Sequence, residues 1–368
     1  MFRDFLESEK ASGIILICCT LCSLLLANSP AGHSYEQFWE WPLAGNHLAH
    51  WINDGLMAVF FLLIGLELEH EVYRGQLSDL RQAAFPVAGA LGGMLVPAGL
   101  YLLLNRGLPS QSGAGIPMAT DIAFALGILS LLGNRVPLAL KIFLTALAVI
   151  DDLGAILVIA VFYSGGISLP YLGGALAVFA GLLILNRLKV RHLFPYLAGG
   201  VLMWYLMLHS GVHATITGVL LAFTIPFDGA HSPSARLQHW LHKPVAYVIL
   251  PLFALANTAI GLPAEPLAAL QSRNSAGILA GLVLGKPLGI FSFCLLAVAA
   301  GVGKLPESLR WRHILGAGLL GGIGFTMSLF ITLLAFDDPA QVLSAKMGIL
   351  CASLVSAVLG LLWLGRRR

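Results

Sequence analysis

Residues 143–163 read FLTALAVIDDLGAILVIAVFY, an apolar run interrupted at its centre by Asp151 and Asp152. About 20 apolar residues suffice to carry a helix across a bilayer, so this stretch is long enough. The two adjacent carboxylates decide how it is read. Lipid rejects buried charge unless something compensates it, and intramembrane ionisable residues mark ion and substrate pathways.

The rest of the chain has the same character. Of its 368 residues 58% are hydrophobic and 11% charged, against about 25% charged in a soluble domain. The composition predicts an all-α polytopic membrane protein. A net charge of +3, scattered along the chain, gives no basic patch for nucleic acid. The start, MFRDFLESEKASG, holds three acids and no cleavage-site pattern, so a removed signal peptide is not expected. Cys18, Cys19, Cys22, Cys294 and Cys351 all fall in apolar segments. They read as polarizable helix filler, with no disulfide framework. No cofactor motif is present.

Apolar windows predict twelve spans, at 12–30, 51–68, 83–104, 115–133, 137–163, 168–186, 193–209, 211–226, 244–262, 275–300, 313–335 and 342–364. The positive-inside rule tests the count. With both termini cytoplasmic, the inner segments hold 17 of the 21 basic residues, among them Arg3, Arg74, Lys141, Arg191, Lys304 and Arg366 to Arg368. The outer loops hold 3, namely Arg106, Arg273 and Lys346. The last base, Lys286, falls inside a span. No loop is long enough for a soluble domain, so 1–368 reads as a single transmembrane domain.

Four ionisable groups lie well inside spans: Asp121, Asp151, Asp152 and Lys286. At about 2.5 to 3.5 kcal/mol each, they cost on the order of 10 kcal/mol if unpaired, comparable to the whole stability of a domain. They must face each other, a polar cavity or an ion. A network serving only packing would not need three acids for one base. Successive helix residues point about 100° apart. Asp151 and Asp152 therefore cannot both aim at one ligand from a regular helix. One can pair with Lys286 while the other faces a cavity, and geometry leaves open which does which. A carboxylate taken out of water tends to hold its proton, more so beside a second carboxylate. Its oxygens are also hard ligands, suited to a small hard cation. Proton and cation competing for one site, opened to one side at a time, give antiport.

Two segments predict broken helices. GIPMATDIAFALGILSLLG (115–133) has Pro117 near its start and Thr120-Asp121 just after it. Residues 313–335 include GAGLLGGIGFTMSLF, with five glycines from Gly316 to Gly324. Glycine clusters weaken helices, and broken backbone survives at membrane depth only in a cavity or inside protein. The two segments sit in the middle of spans 3–5 and of spans 10–12, as in transporters built from inverted three-helix repeats. Gly89, Gly92 and Gly93 in AGALGG predict close helix contacts.

These residues resemble the NhaA-type sodium/proton antiporters. The matching stretches are WINDGLMAVFFLLIGLE (51–67), LRQAAFPVAGALGGMLVPA (80–98), PMATDIAFALG (117–127), LTALAVIDDLGAI (144–156), LVLGKPLGI (282–290) and GGIGFTMSLFI (321–331). They run through nearly the whole chain in the family's order. The resemblance implies twelve helices, with spans 4 and 11 discontinuous and crossing at mid-membrane. It implies electrogenic exchange of Na+ or Li+ for H+ across the bacterial inner membrane, regulated by pH. Asp152 is implied as the principal carrier of cation and proton, with Na+ held at Asp152 and Asp151. Asp151 is implied to pair with Lys286 in one state and to be released in another. Thr120 and Asp121 sit at the break. In the family, Asp121 compensates the positive ends of the half-helices and Lys286 the negative ends, as helix dipoles require.

The family's pH regulation maps to Glu67, His70 and Glu71 after span 2, and to Gln238, His239 and His242 before span 9. Gln238 stands where the family has a glutamate, and Glu69-His70 where it has a basic pair. Histidine titrates near pH 6.5, which suits a sensor. His213 in SGVHATITG also matches a family position. The first external stretch, AGHSYEQFWEWPLAGNH, is shorter than in the family's well-known members, where this region forms a β-hairpin at a dimer interface. A homodimer is implied.

Other function classes fit less well. A sodium-coupled organic-anion symporter would use Lys286 for the anion, and flux without organic substrate separates the two. An intramembrane aspartyl enzyme would need Asp121 and Asp152 facing each other, but the GxGD context is missing. A channel favours rings of charge over adjacent acids on one helix.

Overall fold

The computed structural model describes residues 9–75, 77–229, 231–261 and 269–366. Of the bases in the inward tally, Arg3, Arg367 and Arg368 lie outside the described residues. The chain is helical almost throughout. In order it forms α1 (Glu9–Ala27), α2 (Gly32–Trp39), a two-stranded hairpin of β1 (Pro42–Leu43) and β2 (Asn46–His47), and α3 (Leu48–Arg74). There follow α4 (Leu80–Leu104), a 3-10 segment (Pro109–Met118), α5 (Ile122–Leu131), α6 (Leu138–Phe162), α7 (Leu169–Arg187), α8 (Leu193–Leu208) and α9 (Ile216–Ala222). The last third holds α10 (Pro233–Pro244), α11 (Leu250–Asn257), α12 (Arg273–Ala299), α13 (Trp311–Gly321), α14 (Phe325–Ala335) and α15 (Pro339–Gly365).

Among the described residues six helices are long and apolar enough to cross a membrane, or nine if each bent pair forms one span. Two of the bent pairs fall where the sequence predicts broken helices. The 3-10 segment meets α5 at 46°, and α13 meets α14 at 47°. The third pair, α1 with α2, turns by 119°. Three of the predicted spans contain shorter helices: α8, α9, and α11 running on from α10 through a π turn at Val245–Ile249. The window at 211–226 is helical only over the seven residues of α9. Gly211, with φ +82, bends the chain ahead of it.

Glycine decides how closely two pairs of helices approach. A Cβ on Gly92 of α4 would run into the backbone carbonyl of Gly289 on α12, and one on Gly289 into that of Gly92. Gly93 faces Ile290 and the aliphatic stem of Lys286. On the other side Gly218 of α9 packs on the backbone of Ala58 to Leu62 in α3. The main apolar core surrounds the two broken pairs. A smaller one gathers Tyr196, Met203, Met207 and Leu182 of α7 and α8 against Leu62 and Leu66 of α3.

Candidate functional site

The two breaks meet. The N–H of Asp121 donates to the carbonyl of Ile323 at 2.7 Å, so the second break supplies an acceptor that a continuous helix would have given the first. Asp121 is the N-cap of α5 and accepts the Phe124 N–H at 2.9 Å through Oδ1. Its Oδ2 accepts the N–H of Thr326 at 3.0 Å and also the Thr326 hydroxyl. One carboxylate therefore caps the starts of two half-helices, α5 and α14, and sets its charge against the positive ends of both.

The opposite ends are matched by donors. Lys286 Nζ donates to the carbonyl of Met118, the last residue of the 3-10 segment. The Ser328 hydroxyl donates to the carbonyl of Ile116 at 2.7 Å. The Thr120 hydroxyl lies 3.0 Å from the carbonyl of Gly321, at the end of α13, and 2.8 Å from Asp151 Oδ2. It has a single proton for these two acceptors. Unwound backbone at membrane depth is thus satisfied by side chains, as lipid demands.

Asp151 and Asp152 separate as helix geometry requires. Both are buried on α6. Asp151 Oδ2 lies 2.7 Å from Lys286 Nζ, an ion pair whose two side chains are fully excluded from solvent. Among the described residues neither oxygen of Asp152 is offered a hydrogen bond, and Asp151 Oδ1 also lacks a donor. Asp152 borders a cavity of about 210 Å³ that also touches Asp121, Thr326, Glu67 and His242. Its walls are mostly apolar, with Phe60, Leu63, Leu126 and Met327 among them. Asp121 gives its oxygens to helix caps, which speaks against a pair of catalytic acids made with Asp152.

The six residues mapped to pH regulation lie on the end of α3 and on α10, which pack together, but only two of them border the cavity. Glu67 and His242 border the cavity, with Oε1 and Nδ1 3.9 Å apart. His70 packs its ring against Phe227, and its buried Nδ1 has no partner among the described residues. Glu71 and Gln238 are half-buried and His239 is exposed; none of the three borders the cavity. His213 is bonded to the Tyr163 carbonyl at 2.8 Å, a packed position. Glu69 is buried on α3 and takes the Ser234 hydroxyl at 2.5 Å.

Two features of the site escape sequence reading. Thr326 clamps Asp121; its only signal is a hydroxyl residue two positions after the glycine-broken stretch. The other is a π turn over Ala280–Gly285, just before Lys286. Such turns interrupt helices at functional sites, and here Gly281 and Gly285 lie within it and Pro287 follows.

Comparison with known proteins identifies the family. The sequence profile of the Na+/H+ antiporter 1 family matches residues 3–364. The chain is 63% identical over 362 residues to a protein of Flavobacterium psychrophilum named Na(+)/H(+) antiporter NhaA, covering 98% of this chain and 94% of that one. It is 61% identical over 366 residues to the protein of that name from Cytophaga hutchinsonii, covering 99% and 95%. The Escherichia coli O1:K1 protein of that name is 50% identical, covering 98% and 96%. Among solved structures, the sodium proton antiporter MjNhaP1 of Methanocaldococcus jannaschii superposes with a TM-score of 0.52. The match covers 97% of this chain and 93% of that one at 16% sequence identity, a likeness of fold alone. With its profile matched nearly end to end, the chain belongs to the Na+/H+ antiporter 1 family.

Proposed function

We propose that this protein is a secondary transporter of the bacterial inner membrane that exchanges Na+ or Li+ for H+. The observation that carries the reading is Asp152: a buried carboxylate on a cavity wall, with neither oxygen hydrogen-bonded among the described residues, one residue from an ion pair that is bonded. Asp152 is the carrier, able to hold a proton or a small hard cation but not both. Asp151 is the second cation ligand. Binding there draws it from Lys286, and the charge stranded on the lysine favours release of a further proton. Exchange is then electrogenic, with more protons moved than cations. Thr120 follows Asp151, since its one hydroxyl proton can turn to Gly321. Asp121 and Lys286 hold the half-helix ends in both states.

The same reading takes residues 1–368 as one transmembrane domain of twelve spans. Inverted three-helix repeats place the discontinuous helices at spans 4 and 11, and both termini are cytoplasmic. The cavity is the cytoplasmic approach, with Glu67 and His242 at its wall and His70, Glu71, Gln238 and His239 in the outer regulatory zone. The β1–β2 hairpin serves a homodimer, as in the family.

Everted vesicles that carry the protein are the test. Adding Na+ or Li+ dissipates an imposed pH gradient without any organic solute, and Asp152→Asn abolishes this while the protein stays in the membrane. Full exchange by that variant sinks the assignment of the carrier. A requirement for an organic anion would move the protein to the symporters. Because proton and cation compete, the Na+ concentration for half-maximal exchange rises as pH falls.

A further inference from the structure

Behind the second break, α15 presents two hydroxyls one turn apart. The Ser353 Oγ accepts the N–H of Phe325 at 3.2 Å, at the start of α14. Ser356, three residues on, is fully excluded from solvent, and among the described residues its hydroxyl has no hydrogen-bond partner. A buried polar group left in this way is costly, and each case in a native structure calls for a reason.

An acceptor in the same condition lies beside it. Over the π turn Ala280–Gly285 the N–H groups reach back five residues, and that of Lys286 goes to the Gly281 carbonyl. The next carbonyl, that of Leu282, would take the N–H of residue 287, which is a proline and has none. The π turn and Pro287 together strip the Leu282 carbonyl of its helical donor. Both groups face Gly322, in the break. A Cβ there would collide with the Leu282 carbonyl oxygen and with the Ser356 Oγ at once. A free donor and a free acceptor thus flank a residue whose missing side chain leaves their approach clear.

Leu282 lies one turn before Lys286 on α12. In the exchange cycle proposed above, on which this inference rests, Lys286 loses Asp151 when a cation binds. We propose that Ser356 is a positioning residue for that step: as Lys286 parts from Asp151, α12 shifts against Gly322 and the Ser356 hydroxyl donates to the Leu282 carbonyl. The bond gained there offsets part of what the opened ion pair loses. Ser356 therefore favours the second state without touching cation or proton.

Everted vesicles and thermal unfolding of the same full-length proteins test this. Sodium-driven exchange by the wild type is measured first and bears on the functional reading alone. Ser356→Ala should then lower the maximal rate of exchange about fivefold, as for the loss of one hydrogen bond. Its melting temperature should hold or rise, since the unpartnered hydroxyl burdens only the state with the ion pair closed. A hydroxyl that merely supported packing would lower both. Pro287→Ala returns an N–H to the Leu282 carbonyl and so takes the acceptor away. Adding Ser356→Ala to it should slow exchange no further. Exchange by Ser356→Ala at the wild-type rate would overturn the proposal. So would a melting temperature that falls along with the rate, or effects of the two substitutions that multiply. Ser356→Ala decides alone should Pro287→Ala fail to insert.

Discussion

At the scale of single residues, the site turns on which charges are answered and which are not. Lys286 and Asp151 answer each other at 2.7 Å in full burial. Removing one partner of such a pair costs more than removing both, because a lone buried charge remains. Lys286→Gln is expected to lower stability by about 3–5 kcal/mol, and adding Asp151→Asn to recover part of it. Thermal unfolding in one detergent checks this; a double variant that melts no higher than Lys286→Gln would show that the pair contributes nothing. Thr326 offers a finer test, since its hydroxyl and N–H both bond Asp121 Oδ2. Thr326→Val leaves that oxygen short of a donor, at about 1–3 kcal/mol, and should raise the Na+ concentration for half-maximal exchange. Thr326→Ser keeps the donor and should behave as wild type. The four buried ionisable groups were legible in the sequence because lipid leaves them no innocent place. The clamp by Thr326 was not, since a threonine inside an apolar helix is ordinary until its partner is known. Nor was the burial of Glu69, which depends on the approach of Ser234 from α10.

At the scale of elements, two breaks and one close crossing build the site. The glycines of 316–324 locate the second break, which falls at Gly322–Gly324 between α13 and α14. Pro117 does not locate the first. It lies inside the 3-10 segment, and the chain leaves helical geometry at Ala119 to Asp121. Proline lacks an N–H, but here the break follows from the Asp121 caps, which depend on α14 and so on residues two hundred positions away. The π turns at Trp51–Leu56, Val245–Ile249 and Ala280–Gly285 were not legible, because one extra residue in a turn leaves hydrophobic periodicity nearly unchanged. The crossing of α4 and α12 was legible as AGALGG, and it gives a sharp test. Gly289→Ala puts a methyl against the Gly92 carbonyl and should cost about 1–3 kcal/mol of strain, lowering the melting temperature and the rate of exchange together. Gly99 lies on α4 with open space around it. Gly99→Ala should be neutral or stabilising by about 0.5–1 kcal/mol. Equal effects of the two would mean that helix propensity, not the crossing, is being measured.

At the scale of the whole molecule, the question is which way the chain sits. The membrane fixes that through basic residues in the short connections. Lys304 follows α12 and Arg106 follows α4, and the inward tally puts the first in the cytoplasm and the second outside. The helices between them alternate direction only if the bent pairs each cross and the short helices α8, α9 and α11 count as spans. Orientation therefore also tests the count of twelve. Single cysteines at 106 and 304, placed in a chain freed of its five native cysteines, separate the possibilities. A membrane-impermeant maleimide added to intact cells should label position 106 at once, and position 304 only after permeabilisation. The reverse pattern would invert the protein and turn the Asp152 cavity outward. Labelling of both positions from outside would mean an even number of crossings between them and remove one span from the twelve. From residue 106 to 304 the chain passes through both carboxylates and the lysine. A wrong count there would also undo the repeat that pairs spans 3–5 with spans 10–12.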